Sequence, residues 1–126
     1  MSDLDVVTDI YAAMAARDFA KALDLIDEQC VITQDDRLPW GGRYVGREGF
    51  GAMGGRLTGS ITSAVTTDAL FEADGDVIQV GRSRGTVNAN GVAFDIPEVH
   101  RWTVRNGKAV AAHFAIDTPA MLHALG

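Results

Sequence analysis

The feature that most constrains this chain is a change of period at Ser60. Before it, apolar residues recur at helical spacing; after it, they alternate, and the alternation runs on to Ile116. Asp74-Gly75 and Asn106-Gly107 are hairpin dipeptides, and a further turn falls within Asn88 to Gly91. The pattern predicts four strands, Ile61 to Ala73, Val77 to Val87, Val92 to Arg105 and Lys108 to Ile116, in an antiparallel meander. Pro97 interrupts the third strand, because it has no N–H for the ladder, and predicts a bulge or an edge there.

The first half reads as helices. Ser2 caps the first with Asp5 in a capping box, and Leu4, Val7, Tyr11 and Met14 form its apolar stripe. A second helix starts near Asp18, with Phe19, Ala22, Leu23 and Ile26 inward. Cys30 to Thr33 is a short strand, and Gln34 to Tyr44 is a loop of turn formers around Trp40. A third helix over Arg47 to Leu57 is weakened by Gly49, Gly51, Gly54 and Gly55, each at about 1 kcal/mol relative to Ala. After the last strand, Thr118 as cap and Pro119 at the first position open a short helix. The expected architecture is one α+β domain over residues 1–126, with helices on one face of a curved, mostly antiparallel sheet whose concave side is a pocket.

Composition removes several function classes. A net charge of -6, with eleven scattered basic residues, argues against a nucleic-acid surface. No apolar run reaches the ~20 residues of a membrane span, and the acidic start MSDLDVVTDI lacks a basic leader region, so the expected setting is the cytoplasm. A single cysteine, Cys30, rules out an internal disulfide and a multi-cysteine metal site, and reads as a buried, inert thiol.

The closing hairpin locates the chemistry. With Asn106 and Gly107 as its two-residue loop, facing residues sum to 213, so His100 opposes His113. Glu98, His100, Trp102, Ala111, His113, Ala115 and Asp117 then share one face. Titratable groups beside a large aromatic and several alanines are how a ligand pocket looks in sequence. Asp117 lies four residues beyond His113, about 13 Å at ~3.3 Å per residue, too far for a direct dyad. The competing structural readings are specific. Asp117 supports the start of the last helix, the histidines form a cross-strand pair, Trp40 and Trp102 are core, and Glu98 is solvated. The two histidines and a distant aspartate match no zinc spacing, and no metal or other cofactor is expected.

LPWGGRYVGREGF (Leu38 to Phe50) and NGKAVAAHFAIDTPAMLHALG (Asn106 to Gly126) resemble the SnoaL-like branch of the NTF2-like, or ketosteroid isomerase-like, superfamily. The resemblance implies a cone-shaped cystatin-like roll, a deep pocket and a homodimer formed through the outer sheet face. It also implies polyketide cyclase, isomerase or epoxide hydrolase-like chemistry. By the same resemblance Asp117 is the general acid/base and His100 a pocket residue, with His113 as a second histidine. The expected ligand is a small hydrophobic carbonyl compound, held by Tyr11, Met14, Phe19, Trp40, Glu98, Trp102 and Ala115. A non-catalytic ligand-binding or dimeric interaction domain is the alternative, marked by an exposed Asp117. Epoxide hydrolysis is the third, and needs an arginine between two aspartates, for which Arg82 and Arg84 are the candidates.

Overall fold

The structure, a computed structural model, describes residues 1–126. Helices α1 (Asp3–Ala15) and α2 (Phe19–Asp24) precede strand β1 (Ile26–Gln34) and the short β2 (Gly42–Val45). Helix α3 (Gly46–Ser60) leads into β3 (Ile61–Ala73), β4 (Asp76–Val87), β5 (Ala93–Arg105) and β6 (Lys108–Ile116), and α4 (Thr118–Leu125) closes the chain. The six strands form one curved, unclosed sheet in the order β2-β1-β6-β5-β4-β3. Every pairing is antiparallel except β1 with β6. This is the expected α+β arrangement, helices against a mostly antiparallel sheet.

Local chemistry explains the boundaries. Ser2 and Asp5 form the reciprocal capping box of α1. Asp18 caps α2, but the helix stops at Asp24, and Ile26, expected on its stripe, opens β1 instead. Arg47 Nε donates to the carbonyls of Leu23 and Ile26, satisfying acceptors at that abrupt helix-to-strand step. Residues Gly42 to Tyr44, expected as loop, form with Val45 an edge strand too short for periodicity to reveal.

Pro97 neither bends nor edges the sheet. It lies within β5, between β4 and β6, opposite Arg82 with no register break. Its carbonyl accepts from the Asp117 N–H, beyond the last β5–β6 pair, Glu98 with Ile116. The proline nitrogen points to that same side, past the end of β6, so no ladder bond is lost.

The real irregularity is in the final hairpin. Arg105 faces Lys108 and Val104 faces Ala109, as the Asn106-Gly107 loop dictates. Thr103 then faces Ala111, so Val110 is an extra residue, and every later pair is displaced by one. His100 therefore opposes Phe114, and His113 opposes Arg101. A one-residue shift sends each β6 side chain to the other face. Phe114 and Ala112 go inward and are buried, while His113 and Ala115 go outward and are exposed.

Two apolar clusters fill the concave side. One joins α1, β1, α3 and the near ends of β4 to β6 through Val6, Ile10, Ile32, Phe50, Trp102 and Phe114. The other lies under α4, with Trp40, Ile61, Phe94, Ile96 and Met121. The pocket lies between them.

Candidate functional site

The cavity draws its walls from both clusters. Phe50, Met53, Trp102 and Phe114 come from the first, Trp40, Ile61 and Met121 from the second, and Tyr11, Met14, Leu57, Val65 and Ile116 complete the apolar surface. The cavity volume is about 100 Å³, room for several waters or one small organic molecule. Gln34, Ser63, Ser83, Glu98 and His100 bring polar groups to this lining, and no arginine, lysine or aspartate does.

Glu98 is the unusual member. It projects inward from the middle of β5, is 3% exposed, and its Oε2 has no hydrogen-bond partner. Burial pushes its carboxyl up to about 7, against a smaller lowering effect of the Gln79 side chain. A carboxyl so placed exchanges its proton near neutral pH, as a general acid or base must.

His100, two residues on and 8% exposed, is oriented by a chain of donors. Trp102 Nε1 can only donate, and does so to the Tyr11 hydroxyl oxygen at 2.9 Å. The Tyr11 O–H is then directed to His100 Nδ1, 2.6 Å away. With Nδ1 as acceptor, the neutral imidazole carries its hydrogen on Nε2, which stands 3.3 Å from Glu98 Oε2. Burial, helped by the charge of His113, lowers His100 to about 3, so the ring is neutral at physiological pH. The approach of His100 to Glu98 is therefore a neutral N–H beside a carboxyl, not an ion pair, and no hydrogen bond to Oε2 forms. Burial likewise holds the Tyr11 phenol far above its ordinary value, so it stays protonated.

Six of the expected site residues meet in this cavity: Tyr11, Met14, Trp40, Glu98, His100 and Trp102. Four do not. Phe19 is 54% exposed at the start of α2. Ala115 and His113 lie on the outer face, where His113 Nδ1 meets the Thr33 hydroxyl at 2.7 Å. Asp117 is exposed, and its Oδ1 accepts from the Ala120 N–H at 3.1 Å. It, rather than Thr118, is the N-cap of α4. The physical reason for three of these corrections is the Val110 bulge, which reverses the faces beyond it. Asp117→Ala is expected to cost about 1 kcal/mol in urea unfolding, the typical loss for an N-cap, with ligand affinity in the cavity unchanged.

The arginines expected for an epoxide-opening site are also outside. Arg82 Nε is 2.6 Å and Arg84 Nε 3.2 Å from the same carboxylate, Asp95, on the outer face. One aspartate between two arginines is the reverse of the arrangement that reading needs. Sequence reasoning missed Gln34, Gln79, Ser83 and Phe114 at the site. The inward series Val77, Gln79, Gly81, Ser83 on β4 held a signal, polar groups at positions whose alternation predicts burial.

Comparison with known proteins agrees with this architecture. An NTF2-like protein from Burkholderia thailandensis is 28% identical over 100% of this chain and 98% of its own, with a TM-score of 0.94. An NTF2-like protein of unknown function from Burkholderia pseudomallei is 25% identical over 99% of this chain and 98% of its own, with a TM-score of 0.89. A candidate polyketide cyclase from Pseudomonas putida shares the fold at 16% identity, covering 100% of this chain and 99% of its own, with a TM-score of 0.85. No curated protein matches the chain significantly. The model of the SnoaL-like domain matches residues 7–112, from α1 through the bulge of β6. The chain belongs to the family of SnoaL-like domains.

Proposed function

We propose that the protein is a cofactor-independent acid/base enzyme of the isomerase or cyclase type, acting on a small, largely apolar carbonyl compound. The observation that carries this reading is the Glu98 carboxyl, buried in an apolar cavity with one oxygen free and a neutral imidazole N–H 3.3 Å away. Ionised Glu98 accepts a proton from the carbon beside the carbonyl. The C–H electron pair moves into the new C=C bond as the carbonyl π electrons move onto oxygen. His100 Nε2–H donates a hydrogen bond to that oxygen. Glu98 then returns the proton to a different carbon, completing an isomerisation. In a cyclisation the enolate carbon attacks a second carbonyl, and the proton passes to the new alkoxide. Both routes balance without a metal or a redox partner. Candidate polyketide cyclases among the fold neighbours, from Pseudomonas putida and Xanthomonas campestris, support this at the level of fold analogy.

A second reading, a non-catalytic small-ligand domain, is favoured by the exposure of Asp117. Proton exchange separates the two. Small cyclic ketones and 1,3-diketones are first screened for binding, then incubated with the protein in D2O, and loss of the α-proton signal is followed by NMR. Catalysis by Glu98 predicts faster exchange of a bound compound by the wild type and none by Glu98→Gln. A ligand that binds and never exchanges would establish the non-catalytic reading.

A further inference from the structure

We propose that Gln79 is the positioning residue for Glu98: its amide bridges Glu98 to Thr67 and turns end for end as Glu98 gains or loses a proton. The inference rests on the acid/base reading of Glu98 and adds the device that lets one buried carboxyl play both parts.

Register supplies the frame. Thr67 on β3, Gly81 on β4 and Glu98 on β5 are partners in one row across the sheet. Gly81 has no side chain, and the gap it leaves is filled by Gln79, two residues earlier on the same face of β4. A Cβ at Gly81 would stand 2.6 Å from Gln79 Nε2 and 2.1 Å from the Thr66 carbonyl oxygen. The amide thus lies over Gly81, between the side chains of Thr67 and Glu98. Nε2 donates to Thr67 Oγ1 at 3.1 Å.

The other end of the amide is incomplete. Gln79 is fully buried, and its Oε1 has no partner; the one other buried side-chain atom without a partner is Glu98 Oε2. Both atoms are buried acceptors, and a single proton between them resolves the pair. A neutral Glu98 donates its O–H to Gln79 Oε1, while Nε2 keeps its bond to Thr67. When Glu98 ionises, the reversed amide offers Nε2–H to the carboxylate, and Oε1 accepts from the Thr67 O–H. A hydroxyl both donates and accepts, so Thr67 serves either orientation. Neither state leaves a buried polar atom unpaired, which would otherwise be costly. The lowering effect of Gln79 on the Glu98 carboxyl agrees with an N–H available to the ionised form. The other titratable groups facing Glu98 are His100 on β5 and Tyr11 on α1; β3, β4, β6 and the other helices bring none to the cavity.

The test uses ligand-free, isotope-labelled protein, so it is independent of turnover. NMR follows the Glu98 carboxyl carbon and the Gln79 side-chain amide from pH 5 to 9. Both are expected to titrate with one midpoint near 7. In Gln79→Leu the Glu98 midpoint is expected to rise by about one unit, because the ionised form loses the stronger hydrogen bond. Gln79 signals that stay flat through the Glu98 titration would overturn the proposal, as would an unmoved midpoint in Gln79→Leu. The wild-type measurement decides the matter even if that variant does not fold. Failure of α-proton exchange, by contrast, would remove the catalytic reading and leave the amide titration standing.

Discussion

Glu98→Gln is expected to abolish proton exchange and, at pH 8, to make the protein more stable. The folded protein raises this carboxyl from 4.5 to about 7. At 1.36 kcal/mol per pKa unit, keeping it ionised inside costs about 3 kcal/mol. The sign follows from proton uptake. Between pH 4.5 and 7 the folded state holds a proton on Glu98 that the unfolded state has lost, so stability falls as pH rises through that window. Below 4.5 the group is protonated in both states and the cost is absent. His100, lowered from 6.5 to about 3, works in the opposite sense. Its contribution is complete above 6.5 and is lost as pH falls towards 3. From about 4.5 to 6.5 the two slopes cancel, and wild-type stability is nearly level.

Glutamine carries no titrating proton, so the variant unmasks the histidine slope alone. Its advantage over wild type is expected to be about 3 kcal/mol larger at pH 8 than at pH 4.5. For a chain of 126 residues that is about 10 °C in Tm by calorimetry. An equal gap at both pH values would show that Glu98 titrates normally and would remove it as the proton carrier. A variant that gains stability as it loses activity is the mark of a group retained for function.

The contrast between Glu98 and Asp117 shows what sequence could and could not locate. Period and turn chemistry were enough to recover the helices and the meander, because those depend on neighbours in sequence. The hairpin register held for the two pairs beside Asn106-Gly107. It failed at Val110, where no glycine or proline announces a bulge. That one unpaired residue moved His113 and Asp117 outward and brought Phe114 against His100, their ring centroids 4.6 Å apart. β2 was hidden for a different reason: four residues carry too little alternation, and β1 had to be in place to receive them. Gln79 was hidden because its significance lies in a gap at Gly81 and a hydroxyl at Thr67, which only the register of three strands brings together.

Tyr11→Phe is expected to destabilise the protein by about 2–6 kcal/mol through the loss of a single oxygen. That oxygen accepts from Trp102 Nε1 and directs its hydrogen to His100 Nδ1. Trp102 is 1% exposed and His100 8%, so neither can turn to bulk solvent for a new partner. A buried donor and a buried acceptor are orphaned together, at about 1–3 kcal/mol each, which is a large part of a typical 5–15 kcal/mol stability. Trp102→Phe differs, since it removes the donor itself and leaves Tyr11 bonded to His100. Tyr11→Phe should therefore cost less in a Trp102→Phe background, by the roughly 1–3 kcal/mol of the indole that is no longer orphaned. Urea unfolding of the four proteins measures that difference, and equal costs in both backgrounds would break the chain of donors. The same change frees the histidine tautomer. Nitrogen NMR of His100 should show hydrogen on Nε2 alone in the wild type and on both nitrogens in Tyr11→Phe. With part of the ring turned into an acceptor at Nε2, the donor proposed to hold the enolate oxygen is lost from that fraction of molecules. Residual exchange activity should then fall in proportion to the Nε2–H population that remains.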